Sequence, residues 1–417
     1  MKKNNKTFFA SFQDQPFSLI TKPIGAICNI NCKYCYYLEK QNLYAGTRNF
    51  RMTDELLESF VRQYIESQDV PLISFVWQGG EPALMGLEFY KKAIAYQRKY
   101  ANGKKIENAF QTNGTLLNEE WCRFFALNQF LVGISIDGPE EIHNMHRRNH
   151  ANEPTFEKFI NAIELLKKNQ VEFNTLTTVN NYNSDFPLEI YHFLKSIGSH
   201  FMQFIPVVER VNISDPDNGL KLVPPNFEAG AKVTEWSVNP LKYGLFMSKI
   251  FDEWVTKDVG NIFVQLFDTT LANWVGVPPG LCFFTPVCGN AGLIEHNGDV
   301  YSCDHFVFPE FLVGNIKTSH LRKIMNSVEQ QAFGQNKYAS LPQYCLKCEF
   351  LTKCYGECPK KRFMKTPDGE YGLNYLCEGY KFFFSHVKPD MEFMSNELKN
   401  KRAPANIMNR KKTFLKI

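Results

Sequence analysis

From about residue 17 to residue 209, short apolar runs alternate with longer stretches whose apolar residues recur every three or four positions. The runs 17–27, 72–77, 106–111, 131–136, 171–179 and 201–206 predict six strands. Between them, sets such as Leu56, Leu57, Phe60, Tyr64 and Phe159, Ile163, Leu166 predict helices that bury one face. Six such βα units call for a parallel sheet, open or closed into a barrel. In βα folds ligands gather at the carboxyl ends of the strands. There the sequence turns polar or glycine-bearing: a cysteine loop at 28–35, Gln78-Gly79-Gly80-Glu81-Pro82, Gln111-Thr112-Asn113-Gly114, Ser135-Ile136-Asp137-Gly138-Pro139, Asn180-Asn181 and Val208-Glu209-Arg210.

The alternation stops at about residue 211. Residues 216–225, with Asp217-Asn218-Gly219 and Pro224-Pro225, read as a loop or linker. Helical spacing returns near 243–255 and 264–275. After Gly280 the chain becomes rich in cysteine, and Asn297-Gly298 between Leu293-Ile294 and Val300-Tyr301 signals a β-hairpin that carries Cys303 at its end. The expected divisions are an N-terminal extension at 1–14, a βα body at 15–235, a helical bridge at 236–280, a cysteine-rich domain at 281–390 and a basic tail at 391–417.

Composition narrows the setting. Of 417 residues, 44% are hydrophobic and 22% charged, as in soluble globular proteins. No apolar run approaches the roughly 18 residues of a membrane span. The apolar run at 8–12 is too short for a secretory leader. A cytoplasmic location is therefore expected, and in a reducing compartment the 12 cysteines read as metal ligands before disulfides. After Leu398 come Lys399, Lys401, Arg402, Arg410, Lys411, Lys412 and Lys416 with no acid, which leaves the rest of the chain slightly acidic against an overall +4. Such a tail reads as a solvated terminus, and neither a nucleic-acid nor a membrane partner is expected.

Cys28, Cys32 and Cys35 form a C-x3-C-x2-C loop. Three thiolates can ligate one metal centre but fall one short of a closed four-cysteine site. Sulfur ligands suit zinc, copper(I) or an iron-sulfur cluster, and spacing alone leaves that choice open. With Tyr34 just before the third cysteine, the loop resembles the signature of the radical S-adenosylmethionine (SAM) enzymes. The resemblance implies a partial (β/α)6 barrel and a 4Fe-4S cluster whose open iron chelates SAM, so that reduction releases a 5′-deoxyadenosyl radical.

The second set is Cys282, Cys288, Cys303, Cys345, Cys348, Cys354, Cys358 and Cys377. Eight cysteines make two closed sites, and zinc would serve both. Beside the first loop, C-x2-C-x5-C-x3-C resembles the SPASM extension, a small domain with two auxiliary 4Fe-4S clusters. That resemblance, not the spacing, pairs Cys282, Cys288, Cys303 and Cys358 in one site and Cys345, Cys348, Cys354 and Cys377 in the other. The remaining Cys122, in Trp121-Cys122-Arg123-Phe124-Phe125, reads as a buried structural thiol.

Within that group the marks Cys28–Tyr37, Trp77–Pro82, Gln111–Gly114, Ser135–Pro139 and Cys303-Asp304-His305-Phe306-Val307 resemble the anaerobic sulfatase-maturating enzymes over roughly residues 15–385. Such enzymes oxidise a cysteine or serine of a sulfatase polypeptide to Cα-formylglycine. The resemblance implies SAM contacts at Tyr34, Gly79, Gly80, Glu81, Ser135 and Arg147, and substrate contacts at Tyr37 and Gln78. It makes Asp304 the base that takes the substrate's S–H or O–H proton. It also implies three 4Fe-4S clusters and an electron donor such as flavodoxin or ferredoxin. Two other classes compete: another SPASM peptide-modifying enzyme, and a zinc-bearing nucleic-acid binder. The slightly acidic body disfavours the second. His305 has no ligand spacing and reads as structural.

Overall fold

The computed structural model describes residues 15–47, 49–212, 220–227 and 230–414. The expected N-terminal extension and the Asp217-Asn218-Gly219 part of the expected linker lie outside them.

Six parallel strands form the centre: β1 (Ser18–Lys22), β2 (Leu72–Trp77), β3 (Lys105–Thr112), β4 (Leu131–Ser135), β5 (Phe173–Val179) and β6 (Phe201–Pro206), side by side in chain order. All six expected strands are present: β2 and β6 have the expected ends, β3 is one residue longer at each end, and β1, β4 and β5 are shorter. Helices cover the outer face because their apolar stripes fall every three to four residues. In the helix Asp54–Glu66, capped by the Thr53 side chain on Leu56 N–H, Leu57, Phe60, Val61 and Tyr64 are buried. Phe60, Phe75, Trp77, Tyr90, Phe110 and Trp121 form a chain of ring contacts beneath the sheet, edge-on at Phe60–Phe75, Trp77–Tyr90 and Tyr90–Phe110 and stacked at Phe75–Trp77. Cys122 is fully buried on the helix Glu119–Leu127.

The sheet does not close on itself. It runs to ten strands, because β1 gains a parallel neighbour, Ala291–Glu295, and β6 gains Phe263–Val264 at the other edge. The Ala291–Glu295 strand turns at Asn297-Gly298, Gly298 having φ +93°, into Asp299–Tyr301 and then pairs on to Leu312–Asn315. The expected hairpin is thus a continuation of the barrel sheet. Its register sets Lys22 opposite Glu295, and Cys303 follows just after the antiparallel strand Asp299–Tyr301.

Both expected bridge helices appear, as Pro240–Lys257 and Gln265–Val275. They pack against Cys377–Lys399, which opens on the last cysteine of the chain. That contact is close because it is glycine on glycine: a Cβ on Gly244 would fall 2.4 Å from the Gly379 carbonyl oxygen.

The expected basic tail needs correction. Residue 391 lies inside the Cys377–Lys399 helix, and a further helix, Asn406–Phe414, folds back with Ile407 fully buried. Lys411 pairs with Asp390 at 2.6 Å and Arg402 with Glu397 at 2.6 Å. Charge run alone hid an apolar anchor and two acids within reach on the preceding helix. Among the described residues no helix is long and apolar enough to cross a membrane.

Candidate active site

The cysteine loop leaves β1 and is clamped from two sides. Gly80 N–H donates to Gly25 O at 2.8 Å and Glu81 N–H to Ile27 O at 2.9 Å, while Asn31 N–H and Lys33 N–H donate to Arg148 O and His146 O. Only glycine fits at position 80, where a Cβ would lie 2.0 Å from the Ile27 carbonyl oxygen. Gly79 and Gly80 both line the cavity described below, so the turn shapes the loop and leaves backbone facing open space.

Glu81 sits differently from its expected place on SAM. Its fully buried carboxylate accepts from Ala83 N–H at 3.0 Å, Thr112 Oγ1 at 2.7 Å and Asn113 N–H at 2.8 Å. It ties the loop after β2 to the loop after β3. Burial pushes its pKa up to about 7 against those hydrogen bonds. From the same β3 loop, Asn113 Nδ2 reaches Asn29 Oδ1 at 2.9 Å and lies 3.7 Å from Cys28 Sγ.

Arg147 is likewise engaged. Its guanidinium meets Asp137 twice, Nε to Oδ2 at 3.0 Å and Nη2 to Oδ1 at 3.1 Å, and lies 3.9 Å from Cys32 Sγ. Tyr34 donates to the same Asp137. Asp137 at the end of β4 therefore fixes both Tyr34 and Arg147 around the second and third cysteines.

Cys28, Cys32 and Cys35 face a cavity of about 1270 Å³, its open mouth included. Burial pushes all three thiols up, Cys32 to about 12. Thiols in this state become thiolates when a metal binds them. Ser135, with its hydroxyl held by Gln111 Nε2 at 3.1 Å, lines the same cavity. Gln111 has room because position 133 is glycine, where a Cβ would lie 2.1 Å from its Oε1.

Across the cavity stands a charged wall that comes from five parts of the chain, 22–37, 78, 209, 295–305 and 360. Lys22 Nζ, 1% exposed, donates to Gln78 Oε1 at 2.7 Å, pairs with Asp304 Oδ1 at 2.8 Å and lies 4.0 Å above the Tyr37 ring. Tyr36 donates to Asp304 Oδ2 at 2.5 Å, and Tyr37 donates to Glu295. Burial pushes the Asp304 carboxyl up, but Lys22, His305 and the Tyr36 hydroxyl outweigh it and hold the group below its ordinary value. Lys360 pairs with Glu209 at 2.5 Å and lies 4.4 Å from the Tyr36 ring centre. Lys22, Tyr36, Glu295 and Lys360 were not singled out in the sequence, and Glu209 stood out only as part of the polar segment after the sixth strand. His305, read as structural, lines the cavity with Nδ1 3.5 Å from Cys358 Sγ.

The other eight cysteines gather in two groups. Cys282, Cys288, Cys303 and Cys358 lie close enough that each negative charge disfavours the next. Cys345, Cys348, Cys354 and Cys377 ring a second cavity of about 430 Å³, mouth included. Among the described residues no three His, Cys, Asp or Glu side chains converge as a single ion requires. Each group offers four soft donors, a set that suits a polynuclear iron-sulfur centre or zinc.

The geometry defines a class, and the comparisons agree with it. The Radical SAM superfamily matches residues 23–194, and the SPASM iron-sulfur cluster-binding domain matches residues 286–349. The protein is an enzyme of the radical SAM class with a SPASM domain, and SAM and iron-sulfur clusters are its cofactors.

Within that class the chain belongs to the anaerobic sulfatase-maturating enzymes. It is 52% identical over 402 residues, 96% of each chain, to the serine-type anaerobic sulfatase-maturating enzyme of Bacteroides thetaiotaomicron. It is 34% identical to the cysteine-type enzyme of Clostridium perfringens, across 92% of this chain and 100% of that one. The structure of anSMEcpe with bound AdoMet and the Cp18Cys peptide matches with a TM-score of 0.80 at 31% identity, covering 92% of this chain and 100% of that chain.

Proposed function

We propose that this chain oxidises a serine, and also a cysteine, in a sulfatase polypeptide to Cα-formylglycine, with Asp304 as the base. Serine is placed first because the 52% identical relative is serine-type. The observation that carries the reading is the Asp304 carboxyl group, fixed by Lys22 and Tyr36 in the wall of the cavity that the three-cysteine loop also lines.

Cys28, Cys32 and Cys35 would hold one 4Fe-4S cluster with SAM, and the two groups of four would hold one auxiliary cluster each. Together these groups, when bound, supply abstraction of a Cβ hydrogen and removal of the second electron, with flavodoxin or ferredoxin as the external donor. Gly79 and Gly80 offer backbone to the amino end of SAM and Ser135 a hydroxyl to its ribose, while Glu81 and Arg147 act by holding the loops. Tyr34 acts with them through Asp137. Tyr37 and Gln78, both in contact with Lys22, position the substrate side chain. Asp304 receives the substrate's O–H or S–H proton, which turns the oxidised Cβ centre into a C=O, or into a C=S that water then hydrolyses to C=O with release of hydrogen sulfide. Lys22 and Tyr36 keep the carboxylate ionised and aimed until then.

Asp304→Asn tests the assignment. It preserves shape but cannot take the proton. The reduced, reconstituted variant is expected to go on making 5′-deoxyadenosine from SAM while formylglycine in a serine peptide falls by about 100 to 10,000-fold. Formation of formylglycine at near the parent rate, with iron intact, would remove Asp304 from the reaction. A cysteine peptide run in parallel ranks the two targets.

A further inference from the structure

Cys354 and Cys358 are near neighbours in sequence yet fall in different groups of four, so the three residues between them carry the chain from one auxiliary site to the other. All three take positive φ: Tyr355 47°, Gly356 67° and Glu357 51°. L-residues avoid that conformation, and two of these three are not glycine. One side chain holds the crossover in place. Arg362, buried, donates Nε to Gly356 O at 2.8 Å and Nη2 to Tyr355 O at 2.6 Å and Glu357 O at 3.0 Å, while Nη1 donates to Lys337 O. The fit is tight, since a Cβ on Gly356 would come within 2.8 Å of Nη2.

These partners are all carbonyls. The nearby Glu357 carboxylate is taken up by Lys361 at 3.0 Å, Cys358 N–H at 2.6 Å and Asn374 Nδ2 at 2.8 Å. The guanidinium charge therefore faces the thiols without a dedicated counter-ion. Because its hydrogen bonds fall on residues 355–357, the guanidinium lies beside the backbone that joins Cys354 of one group to Cys358 of the other. Lys337 differs. Its ammonium, fully buried, donates to Cys282 O, the carbonyl of a cysteine that belongs to one group alone.

We propose that Arg362 is a positioning residue shared by the two auxiliary cluster sites: its one guanidinium locks the crossover at 354–358 and sets a permanent positive charge between them, which makes both clusters better electron acceptors. This rests on the assignment of one 4Fe-4S cluster to each group of four. The physical reason is general. Reduction adds a negative charge to a cluster, cluster potentials respond to net charge and hydrogen bonding, and a buried cation is screened little by salt. The reaction needs such acceptors, because the second electron of each oxidation must leave the substrate.

The test uses the full-length chain with Cys28, Cys32 and Cys35 changed to alanine, so that only the auxiliary clusters respond. Iron is counted, and each cluster's midpoint is followed by EPR in a redox titration. Arg362→Gln is expected to lower both midpoints, shifting the reduced-to-oxidised ratio at the parent midpoint at least tenfold, about 59 mV for one electron. Arg362→Lys keeps the charge and should hold both within about threefold. Lys337→Met should move one midpoint only. If Arg362→Gln loses iron instead, a joint loss of about eight atoms with iron kept by Arg362→Lys upholds the shared role. A loss of about four, a shift in one cluster alone, no shift with iron intact, or Arg362→Lys falling as far as Arg362→Gln overturns it. A parent that carries fewer than about eight irons in this background would instead defeat the two-cluster assignment.

Discussion

The loop at 28–35 and the two groups of four cysteines solve opposite problems with the same ligand type. Around the loop, buried charge is cancelled in pairs or by backbone: Arg147 meets Asp137, Lys22 meets Asp304, and Glu81 accepts three hydrogen bonds. Around the groups of four, Arg362 and Lys337 bond to carbonyls and keep their charge. The first region is organised for shape, since a cavity that admits SAM and a peptide must keep a fixed wall. The second has no substrate to admit and is organised for charge. A three-cysteine site leaves a coordination position open for chemistry, whereas a four-cysteine site closes and ties the chain together.

The largest expected effect breaks the comparison into its halves. Changing Cys28, Cys32 and Cys35 together to alanine should abolish 5′-deoxyadenosine and remove about four irons, yet leave soluble protein, because the loop is held by backbone hydrogen bonds to Gly25, Ile27, Arg148 and His146 carbonyls. Cys348→Ala should act the other way, losing auxiliary iron and soluble yield together, because metal-binding energy is folding energy in a cysteine-rich domain. Iron analysis with the yield of soluble protein checks both. Equal loss of solubility in the two variants would erase the distinction.

A smaller effect sharpens it. Gly80→Ala places a methyl 2.0 Å from the Ile27 carbonyl oxygen, and both atoms belong to backbone that cannot swing aside. Relief requires the stretch before Cys28 to move, at about 1–3 kcal/mol for an overpacked site. The expected outcome is iron lost from the three-cysteine site alone, with auxiliary iron unchanged, measured as iron per chain and as the SAM-dependent change in the EPR signal.

How much of this was legible in the sequence follows from distance along the chain. The six strands, the two bridge helices and the hairpin rest on periodicity and turn chemistry within a few residues, and all were readable. The wall of the cavity was not. Lys22, Tyr36, Glu295 and Asp304 meet only because the hairpin adds to β1 in parallel, a pairing that no local pattern announces. Lys22 and Glu295 each end a strand, where a charged residue ordinarily marks solvent, but here they are 1% and 0% exposed. The long helix Cys377–Lys399 was hidden by its internal Pro389 and by the cysteine spacing that draws attention to its first residue. Family resemblance pointed to Glu81, in the loop after β2, and to Arg147, at the end of the helix Glu140–His146, but could not show which way their side chains turn.

That last point gives the smallest and most discriminating prediction. Arg147 could serve SAM directly, as the resemblance implied, or serve the loop through Asp137, as its contacts indicate. Arg147→Lys separates the two. Lysine keeps a positive charge opposite Asp137 but loses the two-point contact at 3.0 and 3.1 Å, together with the reach to Thr178 at 3.3 Å and to Cys32 at 3.9 Å. Loss of a charge-assisted hydrogen bond costs about 1.5–3 kcal/mol, so the melting temperature should fall. SAM affinity, measured by equilibrium dialysis on the reconstituted protein, should fall by less than about threefold, because no donor to SAM has been removed. A drop beyond about tenfold, the equivalent of one charged hydrogen bond, would put the guanidinium on SAM and make the pairing with Asp137 a resting arrangement that SAM displaces.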